Sequence, residues 1–71
     1  MSEEVLAPLA GKIISVGVEP GAAVEEDDEV LVIEAMKMET PVYAPCDGTV
    51  KEVKVKQGDE VEEDDLLLTI D

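Results

Sequence analysis

The strongest constraint on this chain is that it repeats itself. A constant offset of 37 residues lays Ala7–Glu34 over Ala44–Asp71, so that Ala7-Pro8 falls on Ala44-Pro45, Gly11 on Gly48, Val16 on Val53, Val18 on Val55 and Gly21 on Gly58. Val24-Glu25-Glu26-Asp27-Asp28 matches Val61-Glu62-Glu63-Asp64-Asp65 in full, and Leu31 and Ile33 fall on Leu68 and Ile70. Halves this short cannot each bury a core of their own. They must share one, around an approximate two-fold axis. Residues 1–71 are therefore expected to form a single domain, with repeat halves 7–34 and 44–71 joined by whatever lies between them.

Within each half the pattern is that of short strands separated by turns. Leu31, Ile33 and Ala35 alternate with Val32, Glu34 and Met36, the period of a half-buried strand, and Leu66–Ile70 repeats it with Leu68 and Ile70 inward. Segments 11–18 and 48–55 share apolar positions at 13/50, 16/53 and 18/55. The step from 13 to 16 breaks strict alternation, which predicts a bulge there. Pro20-Gly21, Gln57-Gly58 and the two Glu-Glu-Asp-Asp runs read as turns. No segment sustains a 3.6-residue apolar period. The expected fold is all-β: two small antiparallel sheets packed as a flattened barrel-sandwich with an internal quasi-two-fold repeat.

Composition narrows the function classes. Nineteen acidic residues against five lysines give a formal charge of −14, a surface that repels phosphate backbones and acidic headgroups, so nucleic acid is excluded as a partner. No apolar run approaches spanning length, which argues against direct membrane insertion, and Met1-Ser2-Glu3-Glu4 lacks the basic start of a secretory signal. The single cysteine, Cys46, cannot form an internal disulfide, and a cytoplasmic location is expected. Cys46 aligns with Leu9 and Tyr43 is the one aromatic residue; both are read as packing residues. The paired acidic turns lack the loop spacing of a calcium hand and read as solvated surface.

The residues between the repeats, Ala35–Tyr43, have no counterpart in the alignment and are the natural place for function. A strand entering through Glu29–Met36 and one leaving through Met38–Tyr43, with Pro41 suited to an edge, imply a very tight hairpin. Tight hairpins favour primed turns with positive φ, for which Met36 and Lys37 are poor choices. Asn or Gly would serve if turning were the only task. Lys37 is thus the anomaly, and Met36 and Met38 beside it are apolar groups useful to a partner that grips the tip.

Glu34-Ala35-Met36-Lys37-Met38-Glu39, centred between two similar halves, resembles the biotinyl domain of biotin-dependent carboxylases and decarboxylases. Ala44-Pro45-Cys46-Asp47-Gly48 and Lys56-Gln57-Gly58-Asp59 are also similar to that family, and the resemblance covers nearly the whole chain after Glu4. It implies that biotin is attached covalently to Lys37, with Ala35, Met36 and Met38 as flanking residues recognised by biotin protein ligase. It further implies a non-catalytic carrier that shuttles a carboxyl group between biotin carboxylase and a carboxyltransferase or decarboxylase subunit. Two departures stand out. The acidic turns end in Asp-Asp where many members carry glycine, and the protruding segment of one bacterial acetyl-CoA carboxylase carrier is missing.

The residues themselves agree with a carrier role. There is no histidine or arginine, and no nucleophile–base pair or metal-ligand spacing is apparent. An ordinary lysine amine is almost wholly protonated at neutral pH, so a separate ligase must activate the acyl group and take the proton. The rival readings are a lipoyl carrier, whose hairpins usually show Asp-Lys-Ala, and an unmodified docking module; a stand-alone enzyme lacks the acid–base residues it would need. The span Met1–Asp71 suits either a separate subunit or an excised domain, and acyl-CoA and keto-acid substrates both stay open.

Overall fold

The computed structural model describes residues 2–71. Eight strands follow one another: β1 (Glu3–Leu6), β2 (Gly11–Val16), β3 (Ala23–Val24), β4 (Glu29–Ala35), β5 (Met38–Tyr43), β6 (Gly48–Val53), β7 (Glu60–Val61) and β8 (Leu66–Ile70). They form two four-stranded antiparallel sheets, ordered β1-β8-β6-β3 and β5-β4-β2-β7.

Advancing each strand of the first half by 37 residues turns β2, β3 and β4 into β6, β7 and β8, and converts one sheet order into the other. The same operation carries β1 onto 40–43, the outer part of β5. The repeat therefore extends over 3–6 and 40–43, and the stretch with no counterpart shrinks from Ala35–Tyr43 to the turn and its first flanking residues.

Each sheet draws strands from both halves, which is why neither half can stand alone. The linkers are cross-pinned as well. Ala7 N–H donates to the Asp65 carbonyl and Asp64 N–H to the Ala7 carbonyl, both at 2.8 Å. In the other half, Ala44 N–H donates to the Asp28 carbonyl at 2.8 Å and Asp27 N–H to the Ala44 carbonyl at 2.9 Å. The turns are closed locally by carboxylates: Asp28 Oδ2 accepts from Glu25 N–H and Asp65 Oδ2 from Glu62 N–H, at 2.9 and 2.8 Å. Those aspartates are thus turn-closing groups, each carboxylate reaching back three residues to a backbone N–H. Asp27 and Asp64, at φ 72° and 71°, occupy the left-handed positions where the resemblance led to glycine.

The core consists of fourteen aliphatic residues and, among the described residues, no buried polar side chain belongs to it. Each large member contributes about 1.5–3 kcal/mol by leaving water, so a core without aromatic rings can hold a domain this small. Strict alternation is broken at the expected step. The register shifts between Ile13 and Ser15 on β2 and between Val50 and Glu52 on β6, so Ile14 and Lys51 are the extra residues. A second pair of bulges was not anticipated. Val5 pairs with Leu68 but Leu6 with Leu66, and Val42 pairs with Leu31 but Tyr43 with Glu29. The extra residues, Leu67 and Val30, turn inward beside Leu68 and Leu31, giving each strand two consecutive core side chains.

Candidate functional site

β4 and β5 are joined by two residues. Ala35 pairs with Met38, and Met36 and Lys37 form the turn with φ 53° and 67°. Two successive left-handed residues define a type I′ turn, whose twist matches that of the flanking strands. For L-residues this conformation costs about 1–2 kcal/mol each, a strain the long β4–β5 ladder can hold. Pro41 sits in β5, the edge strand of its sheet, where its missing N–H interrupts no inner ladder.

The four residues singled out at the tip are thus placed as follows. Ala35 ends β4 and is half-buried; Met36 and Lys37 are the turn; Met38 begins β5. Met36 is 92% and Met38 69% exposed. Lys37 is exposed too, and among the described residues its amine has no hydrogen bond or ion pair, the single ion pair being Lys54–Glu52. The backbone alone therefore sets the direction of this side chain. An amine held clear of the scaffold between two apolar thioethers can be acylated by another protein and then swing.

Two features of the site were not read from the sequence. Glu34 and Glu39 face each other directly behind the turn, with Lys12 opposite Glu34 and Glu60 opposite Lys12 across the sheet. This row was signalled only by register, which a single sequence does not display. Gly11 lies under the hairpin stem, where a Cβ would meet the Glu34 carbonyl oxygen at 2.5 Å and Ile33 Cγ2 at 2.6 Å. It floors an open groove bounded by Glu34, Met36, Glu60 and Glu62.

Tyr43 corrects an expectation. It is 52% exposed, not core, because the Val30 bulge pairs it with exposed Glu29 at the end of the edge strand. With Leu6, its two-fold counterpart, it flanks a shallow apolar groove rimmed by Pro8, Pro41 and Pro45. Cys46 is a free, half-buried thiol packed against the core, in keeping with its match to Leu9.

Comparison with known proteins agrees with this geometry. The family model described as "Biotin-requiring enzyme" matches residues 3–70. The gamma subunit of glutaconyl-CoA decarboxylase from Acidaminococcus fermentans is 51% identical over 41 residues, covering 58% of this chain and 28% of that protein. The gamma subunit of methylmalonyl-CoA decarboxylase from Veillonella parvula is 46% identical over 41 residues, covering 58% of this chain and 32% of that protein. The aligned part is thus about a third or less of these relatives. Among solved structures, the urea carboxylase of Kluyveromyces lactis superimposes with a TM-score of 0.93 at 35% identity, over 100% of this chain and 6% of that one. The lipoyl domain of the Azotobacter vinelandii 2-oxoglutarate dehydrogenase complex superimposes at 0.81 with 28% identity, covering 96% and 94%. A family-model match over residues 3–70, with a superposition that covers the whole chain, places the chain in the family of biotin-requiring enzymes, as one of its carrier domains.

Proposed function

We propose that Lys37 is the biotin attachment point and that the domain carries a carboxyl group between the active sites of a biotin-dependent carboxylase or decarboxylase. The observation that carries this reading is an exposed amine, without an ion pair among the described residues, on a type I′ turn between two exposed methionines, in a chain of the biotin-requiring family. Bound biotin supplies a ureido nitrogen able to accept and release a carboxyl group. The chain's own contribution is positional. The turn projects the arm, the two sheets keep its base rigid, and tethering raises the arm's effective concentration at both partner sites.

The domain cannot acylate itself. No histidine is present, and no carboxylate lies within ion-pair distance of the Lys37 amine among the described residues, so no group is placed to take its proton. A biotin protein ligase supplies that base and the activated acyl group, closing over Ala35, Met36 and Met38. Biotin carboxylase and a carboxyltransferase or decarboxylase subunit are the partners this role requires. The gamma subunits among the relatives favour a decarboxylase setting. Cys46 as a free thiol suits the cytoplasm, where such complexes would meet the ligase.

Incubation with biotin, ATP and biotin protein ligase, followed by intact-mass and peptide mapping, tests the assignment. One modification confined to Lys37 is expected, with none in Lys37→Arg. Modification by a lipoyl ligase in its place would move the chain to the lipoyl carriers, and a label on another lysine would remove Lys37 from the role.

A further inference from the structure

Among the described residues, the accessible sulfur is concentrated on the hairpin. Met36 and Met38 are 92% and 69% exposed, and neither contributes to the core. Cys46 is half-buried against that core. Leucine would give a gripping partner the same apolar surface, without a sulfur to oxidise. The thioether therefore adds one property that leucine lacks, a reversible oxidation chemistry, at the point where a partner must close.

We propose that Met36 and Met38 form a peroxide-sensitive modification site whose conversion to sulfoxide withdraws the hairpin from its ligase while the fold stays intact. The proposal rests on the biotin-acceptor reading of Lys37. In the chemical step, a thioether lone pair attacks one oxygen of hydrogen peroxide and the O–O bond breaks. An S–O bond forms, the attacked oxygen's proton passes to the departing hydroxide, and water leaves. Sulfur is oxidised by two electrons and the peroxide reduced by two. The product is reversible by methionine sulfoxide reductase.

The consequence follows from the exposures. A sulfoxide is polar and tetrahedral, and a partner that buries the tip must strip water from it without offering the apolar match the thioether enjoyed. Folding is indifferent, because the turn is held by the β4–β5 ladder and neither side chain fills the core. Recognition and stability are thereby uncoupled at these two residues.

The test treats unbiotinylated protein with hydrogen peroxide and maps the product by mass. Sulfoxide at Met36 and Met38 is expected, with an unchanged thermal midpoint. The initial rate of biotin incorporation by the ligase should fall at least tenfold, return after methionine sulfoxide reductase treatment, and fall equally in Cys46→Ser. An undiminished rate in the doubly oxidised protein overturns the proposal, as does a loss that the reductase does not restore or that vanishes in Cys46→Ser. A drop in thermal midpoint parallel to the lost rate also overturns it. Untreated protein that takes no biotin is a separate failure, that of the acceptor reading.

Discussion

Glu34 and Glu39 stand directly opposite each other on the β4–β5 ladder, one step behind the Ala35–Met38 pair that closes the turn. Like charges in this relation are destabilising by about 0.2–1 kcal/mol. Lys12, beside Glu34 on β2, is also opposite Glu60, so its charge is shared, while Glu39 on the edge strand has only Glu34 across from it. Glu39→Lys should therefore raise stability in denaturant titrations by about 0.5 kcal/mol at low salt. The gain should shrink in 1 M salt, where the screening length is about 3 Å. Equal stabilities at low salt would show that the pair does not interact.

The strain in the turn makes a second prediction. Replacing Met36-Lys37 by Asn-Gly supplies residues that adopt positive φ readily. A gain of about 1 kcal/mol is expected, or about 4–8 °C in thermal midpoint for a chain of this size, with complete loss of biotinylation. A stability unchanged by this replacement would mean that the observed φ values carry no strain.

Two glycines near each other in sequence should respond oppositely to alanine. A Cβ at Gly11 would strike backbone and core atoms at 2.5 and 2.6 Å, and Gly48 makes the equivalent approach to Asp71 and Ile70. Overpacking of this kind costs about 1–3 kcal/mol. At Gly17 a Cβ would meet nothing nearer than 3.5 Å and φ is not left-handed, so Gly17→Ala should be neutral or stabilising by up to about 1 kcal/mol. Urea midpoints for the single variants decide the ranking.

Thr69 carries a buried hydroxyl with no partner, while its two-fold counterpart is Val32. Burying an unsatisfied polar group is costly, and valine is nearly the same shape. Thr69→Val is expected to stabilise the domain by about 1 kcal/mol. A destabilised variant would point to a partner for the hydroxyl.

The Glu52 carboxylate accepts a hydrogen bond from Lys54 Nζ at 2.6 Å, and that bond, followed by the lysine's charge, holds its pKa below the usual glutamate value. The lowered folded value means that any stabilisation from this pair is present above the unfolded pKa and is lost as pH falls through the folded one. Because both side chains are exposed the effect on stability is small, and carboxyl NMR is the suitable readout. Glu52 should titrate below the normal glutamate range, and Lys54→Met should bring it back up.

Much of this architecture was legible because it follows from local pattern. The matched Val-Glu-Glu-Asp-Asp turns, the apolar positions at 13/50 and 16/53 and the Lys37 hairpin all appear as spacing in the chain. The extension of the repeat to β1 was not legible, since only Val5 and Val42 match between 3–6 and 40–43. Those strands are equivalent by where they pair, not by what they are made of. Tyr43 was misplaced for a related reason: one extra residue at Val30 shifts the register and sends the ring outward.

The sequence alone determined that two halves share an all-β core and that a lysine without a turn-forming rationale sits between them, because side-chain period and turn chemistry are local properties. Only the tertiary structure decided which side chains the bulges turn inward, which glutamates confront each other and how closely two glycines let strands approach. Those are relations between strands distant in the chain, set by register and close packing, and they have no period to reveal them.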